Sequence, residues 1–338
     1  MQWNVALDIG ASAVRMAVRG HGDIFAESAA AATRDGEAKP FLLGNEALPL
    51  HGRATGRVQV GFPMDAGQVA DEAVLRAWVN HLMRQAAQAG RAMRPRVLIA
   101  RSPEALGYTM KALVALVMEA GAAGCSLIRS DLMAAVGAGC DPMRPEGTLV
   151  GELGAGSMAV TLFSMGRVVE SRSLPWGMRR ADEIITTRLR NEYALETGAL
   201  TAEELKLSLL SALGGAKLSV DVRGLDLNLS LPRTRSVEAE KLHAAVKPVI
   251  DDFSALVQAV VRRAPTELAA DLADRPIVLT GGGASLFGLD KLIAEATGLG
   301  VMIPGDPAGC VARGLVAALE SPGRFEAAAE ASATLMKS

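Results

Sequence analysis

A chain of 338 residues, half of them apolar, is long enough for two domains with well-filled cores. Its 35 basic and 37 acidic residues leave a net charge of −2, and only 4% of the chain is aromatic, so neither a nucleic-acid partner nor a base-stacking platform is supported. No apolar run is long enough to cross a bilayer, no basic-then-apolar leader opens the chain, and Cys125, Cys140 and Cys310 are isolated thiols without disulfide or metal spacing, so a cytoplasmic protein is expected.

Residues 4–9 and 13–19 read as two short strands about a turn at Gly10, in the stretch LDIGASAV. A polar region punctuated by Gly and Pro follows at 33–65. Val69, Ala73, Leu75, Val79 and Leu82 then recur near helical spacing within 65–89. Residues 96–100 read as a buried strand and 103–120 as a helix opening on Pro103. At 148–153 and 158–163 the first hairpin is repeated, in the stretch GELGAGSMAV. Helices are expected at 180–193, 201–213 and 237–263, with strand-like pieces at 218–222 and 227–231. A strand at 276–280 runs straight into Gly281, Gly282 and Gly283, and a helical pattern follows. The tail, 321–338, is Ala-rich and weakly specified. This order points to an α/β protein built from two related halves.

Each hairpin sets a carboxylate, Asp8 or Glu152, just ahead of a glycine turn. A turn of small residues lets backbone N–H groups approach phosphate oxygens, and a carboxylate beside it suits Mg²⁺, which prefers oxygen ligands. Two such turns facing each other would clamp the phosphates of a nucleotide, and the glycine triplet supplies a third close backbone approach. Taken singly, each hairpin reads equally as a capped tight turn. The duplication favours the nucleotide.

From Val5 to about Glu320 the chain resembles the MreB family, bacterial actin-like proteins of the actin/Hsp70/sugar-kinase superfamily. Besides the hairpins, the resemblance is carried by PMDAGQVAD at 63–71, PRVLIA at 95–100, MAAVGAG at 133–139 and LTAEELK at 200–206. It continues with ELAADLADRPIVLTGGGASLFGLDKLIAEATG at 267–298, the longest block, and DPAGCVARG at 306–314. The resemblance implies an actin-like ATPase fold, with two lobes, each a mixed β-sheet flanked by helices, and a nucleotide cleft between them. It implies a lobe I core from 1–32, 66–146 and 308–338, and a small subdomain at 33–65. The lobe II core would take 147–179 and 236–307, and a second small subdomain 180–235.

The first phosphate loop then falls on Gly10, Ala11 and Ser12, and the second on Gly154, Ala155, Gly156 and Ser157. The adenosine motif falls on Gly281, Gly282 and Gly283, and the groups near ribose and base on Glu203 and Lys206. Metal contacts fall to Asp8 and Glu152. ATP with Mg²⁺ is the implied ligand, and self-association into filaments, with membrane proteins of cell-shape determination as further partners, the implied assembly. A weak contact with the inner face of the cell membrane is implied for the loop 90–94, whose single apolar anchor, Met93, contributes about 1.5–3 kcal/mol on burial.

The departures from the family pattern fall around the phosphates. Ala11, Ser12, Ala13 and Val14 stand where the family reads Thr-Ala-Asn-Thr, and Met158 and Ala159 where it reads Thr-Glu. Ser130 takes the place of the glutamate that orients the attacking water, with Asp131 one position on. The paired aspartates of the family fall at Met178 and Ala181, with Asp182 next along. The catalytic set is thereby reduced to Ser130, Asp131 and Ser157, and a serine hydroxyl is a poor base. The expected function is an ATP-binding actin-like filament protein of rod-shape determination with slow or lost hydrolysis. The alternative is a non-polymerising ATP-binding adaptor of the same superfamily, of the division or pilus-assembly type.

Overall fold

The computed structural model describes residues 2–22, 24–53, 56–89, 94–209, 211–213 and 218–331. The loop around Met93 proposed for the membrane lies largely outside the described residues, which resume at Arg94. Among the described residues no helix is long and apolar enough to cross a membrane.

Two sheets of the same plan carry the fold. In the first, Val5–Ile9 pairs antiparallel with Ala13–Val18, which pairs antiparallel with Ile24–Ser28. On its other side Val5–Ile9 pairs parallel with Arg96–Arg101, and that strand with Gly124–Arg129. In the second sheet Thr148–Leu153, Met158–Ser164 and Arg167–Leu174 form the antiparallel set, and Ile277–Thr280 and Val301–Met302 the parallel extension. Each sheet therefore runs third, second, first, fourth, fifth strand, with the direction of growth reversing beside its first strand. Ligands of open α/β sheets sit at the carboxyl ends of strands where such a reversal falls. Glu330–Ala331 adds a short antiparallel edge to the first sheet.

The third strand of each unit escapes sequence reading, because Ile24–Ser28 and Arg167–Leu174 are partly exposed and do not alternate cleanly. Three expected helix starts also move. Met64–Asp65 and Gln68–Val69 fold back on each other about Ala66 (φ 50°), so the helix begins only at Glu72, where the Asp71 carboxylate accepts the Val74 N–H at 3.1 Å. Pro103 lies in a turn closed by the Ala105 N–H on the Ser102 carbonyl, and the helix runs Gly107–Glu119. Of the segment expected as strand at 227–231, residues 227–230 form the bend of a hairpin between Ser219–Asp226 and Leu231–Glu238, and the second of these strands delays the following helix to Ala239–Arg263.

Each sheet packs an apolar core on its outer face, one around Leu75, Trp78 and Leu113, the other around Ile185, Leu242 and Phe253. A third core lies between the sheets. Ala6, Leu98 and Ile128 of the first sheet meet Val150, Phe163 and Val278 of the second through two helices, Ser130–Gly137 and Cys310–Glu320. Those helices touch backbone to backbone. A methyl on Gly137 would land on the Cys310 carbonyl, and one on Gly314 on the Met133 carbonyl. The junction of the lobes is thus a glycine-to-glycine helix contact with no room for a side chain.

Candidate functional site

The two hairpin turns are built alike. Gly10 N–H donates to the Ala13 carbonyl at 3.0 Å, and Gly154 N–H to the Ser157 carbonyl at 3.0 Å. Both open into one cavity of about 360 Å³ between the lobes, within the usual size range for small-molecule sites. Its walls include Asp8, Gly10, Ala11 and Ser12 from the first turn, and Glu152, Gly154, Ala155, Gly156 and Ser157 from the second. Gly281, Gly282, Gly283, Glu203, Lys206 and Ser130 complete the expected set. Of the site residues expected from sequence, only Asp131 is absent from these walls.

Asp131 is fully buried behind the cleft. Arg129 grips both its oxygens, at 2.9 and 2.6 Å, while the Thr161 hydroxyl donates at 2.6 Å and the Leu132 N–H at 2.9 Å. Every strong acceptor direction is taken, so this carboxylate holds the junction together and faces no ligand. Ser130 does face the cleft, and its hydroxyl donates to Glu152 Oε2 at 2.9 Å.

Burial, reinforced by the charges of Asp131 and Asp8, pushes the Glu152 carboxyl up to about 8, against the lowering effect of the Ser130 hydroxyl. A carboxyl raised from 4.5 makes a contribution to stability that is fully present below pH 4.5 and lost as pH rises to about 8. Glu152→Gln keeps an acceptor for Ser130 and removes the charge. In urea unfolding of the ligand-free protein, this variant is expected to match wild type near pH 4.5 and to exceed it by about 2–3 kcal/mol near pH 8.

The glycine triplet divides its labour. Gly281 has φ +81°, and a Cβ there would stand 2.5 Å from the Leu153 carbonyl oxygen, while one on Gly283 would strike the Leu153 and Met178 side chains. A Cβ on Gly282 meets nothing within 4 Å. Gly281 and Gly283 seat the turn against the second hairpin, and Gly282 presents bare backbone to the cavity. Gly281→Ala should therefore lower the melting temperature by several degrees, while Gly282→Ala should leave it near wild type. Thermal unfolding by circular dichroism reads both.

On the helix Ala199–Leu209, Glu203 and Lys206 share the face turned to the cavity. Lys206 is buried and pairs with Asp182 at 2.8 Å. Burial raises the Asp182 carboxyl to about 6 despite that ammonium.

Two cationic residues of the cleft were not anticipated from sequence. Arg179, at the start of the helix Arg179–Tyr193, donates to the Ala11 carbonyl at 2.7 Å and to Asp65 at 2.8 Å, and stacks 4.7 Å over the Phe62 ring. It ties the second lobe to the first phosphate-type turn. Nearby, Gly52 lies against Gly198, and His51 is pulled down by burial and by the Arg179 charge, against the opposing charge of Glu203. Arg15 is the other. It lies directly opposite Asp8 in the hairpin register, lines the cavity and approaches Asp8 Oδ2 at 3.5 Å. Burial raises the Asp8 carboxyl, and the guanidinium only partly offsets that.

Mg²⁺ is ordinarily held by one or two carboxylates together with substrate phosphates. Here one candidate carboxylate already has a cation on it and the other already accepts the Ser130 hydroxyl. A dication on Asp8 would sit beside a guanidinium that shares the same oxygen. The donor set does not fit the metal.

Two sheets of one plan, joined at their core and clasping a cleft between duplicated hairpins, define an actin-like fold. The chain belongs to the MreB/Mbl family, whose model, described as MreB/Mbl protein, matches residues 2–327. It is 30% identical over 312 residues to the cell shape-determining protein Mbl of Bacillus subtilis (strain 168), covering 92% of this chain and 94% of that protein. To the cell shape-determining protein MreB of Escherichia coli (strain K12) it is 32% identical over 324 residues, 94% of this chain and 93% of that protein. The crystal structure of MreB5 of Spiroplasma citri bound to ADP superposes with a TM-score of 0.88 at 26% identity, over 95% of this chain and 97% of that one.

Proposed function

We propose that this chain is a nucleotide-binding, actin-like cytoskeletal protein that assembles head to tail into filaments in cell-shape determination, and that it hydrolyses ATP slowly or not at all. The observation that supports nucleotide binding most directly is the convergence of both hairpin turns and the Gly282 backbone on one cavity. Support also comes from MreB5 of Spiroplasma citri, which was crystallised with ADP and with AMPPNP. In this reading the turn N–H groups take the phosphates, the glycine triplet takes the adenosine, and Glu203 and Lys206 approach ribose and base. The four-part division of the chain drawn from the resemblance belongs to the same proposal, as does a cytoplasmic location. The magnesium implied by the resemblance is left out of it, because the cleft carries its own cation.

Filament formation rests on family membership across the whole chain, the small subdomains included. A contact between unlike surfaces that does not close on itself generates an open polymer. Calorimetry with ADP and AMPPNP should show one site per chain, and negative-stain microscopy with ATP should show filaments. Absence of binding up to millimolar ligand ends the reading of the cleft. Binding by a protein that stays monomeric with ATP and lipid supports the adaptor instead.

A further inference from the structure

Arg15 is the one feature of the duplicated hairpins that the duplication does not explain. In the first hairpin Asp8 faces Arg15 across the strand pair; in the second, Glu152 faces Ala159 at the corresponding register position. The cation is present once, on the wall of the shared cavity. Among the described residues its only hydrogen bond is the 3.5 Å contact from Nη1 to Asp8, so most of the guanidinium's five donors have no protein partner. Asp306, the other carboxylate that feels the Arg15 charge, is already matched by Arg313 at 2.6 Å. The side chain is one-fifth exposed, held in the cavity wall and free on one side.

We propose that Arg15 takes the place of the divalent cation, so that this cleft binds the polyphosphate of a nucleoside di- or triphosphate without a metal ion. The inference rests on the nucleotide reading given above and adds the residue that neutralises the phosphates. A guanidinium is always charged, and its planar fork matches two phosphate oxygens at once. Asp8 then keeps its carboxylate as the group that aims the fork, in place of acting as a metal ligand. Phosphate charge, which in a cleft containing Asp8 and Glu152 needs compensation, meets it from the chain itself.

The experiment is isothermal titration of ADP and AMPPNP into the full chain, once in excess MgCl₂ and once in excess EDTA. Wild type is expected to bind in both, with dissociation constants within about threefold of each other. Arg15→Leu and Arg15→Gln, the second keeping a donor toward Asp8, are expected to bind about tenfold to a hundredfold more weakly in EDTA and to regain affinity with MgCl₂. Circular dichroism establishes that each variant is folded, and the glutamine variant carries the test if leucine disrupts the hairpin. Binding by wild type in MgCl₂ alone overturns this inference and leaves the nucleotide reading intact. So does a folded Arg15→Gln that binds as tightly as wild type in EDTA. Absence of binding in both buffers overturns both readings.

Discussion

Gly314→Ala should lower the unfolding free energy by about 3 kcal/mol or more, among the largest losses expected from a single added methyl among the described residues. The helices Ser130–Gly137 and Cys310–Glu320 meet where a Cβ would collide with the Met133 carbonyl, and backbone yields less readily than the end of a side chain. Relief requires the helices to separate, and both are wedged between sheets whose core residues surround them. Gly137→Ala should cost a similar amount. The double variant should cost less than the sum, because one separation relieves both clashes. Gly107→Ala is the control, since a Cβ there meets nothing within 4 Å. Urea unfolding measures all four. A Gly314→Ala protein as stable as wild type would show that the helices can part at little cost.

Phosphate release from ATP should run about 100-fold or more below that of a family member with a glutamate at the position of Ser130, the lower end of what a general base contributes. Ser130 donates its hydroxyl to Glu152 in the ligand-free cleft, and a neutral hydroxyl oxygen is far too weak a base to take a proton from water as a carboxylate would. Asp131, its nearest carboxylate neighbour in sequence, is bound on both oxygens by Arg129 and Thr161 and faces away from the cavity. Ser130→Glu alone would set a third carboxyl beside Glu152 and Asp8. The informative variant is therefore Ser130→Glu combined with Glu152→Gln, which should restore part of the release in a phosphate-detection assay. Wild-type turnover equal to that of the relative would refute the proposal and assign the water to Glu152.

Much of the site was legible because its elements are local. A carboxylate, a glycine turn and two flanking apolar runs are read within ten residues, and their repetition is visible without any structure. Glu203 and Lys206 were legible only through the family resemblance, since spacing alone fits a surface ion pair. What escaped was what depends on partners far along the chain. Arg179 acquires its role from Ala11 and Asp65, more than a hundred residues earlier, and no local pattern announces that meeting. Asp131 looks like a spare base in sequence, and only the approach of Thr161 and the fold of Arg129 show that it is already engaged. Arg15 stood within reach of sequence reasoning, because counting the hairpin register back from the Gly10 turn puts it opposite Asp8.

The clasp made by Arg179, together with the meeting of Gly52 and Gly198, has a bearing on time as well as on affinity. These contacts join the lobes through the protein's own groups. Where such contacts must part before a guest can leave, its residence is governed by the frequency of that parting more than by the strength of its own grip. A subunit built this way would keep one occupant through many encounters with its neighbours, and the clock of any assembly made from it would be set by the parting of these contacts.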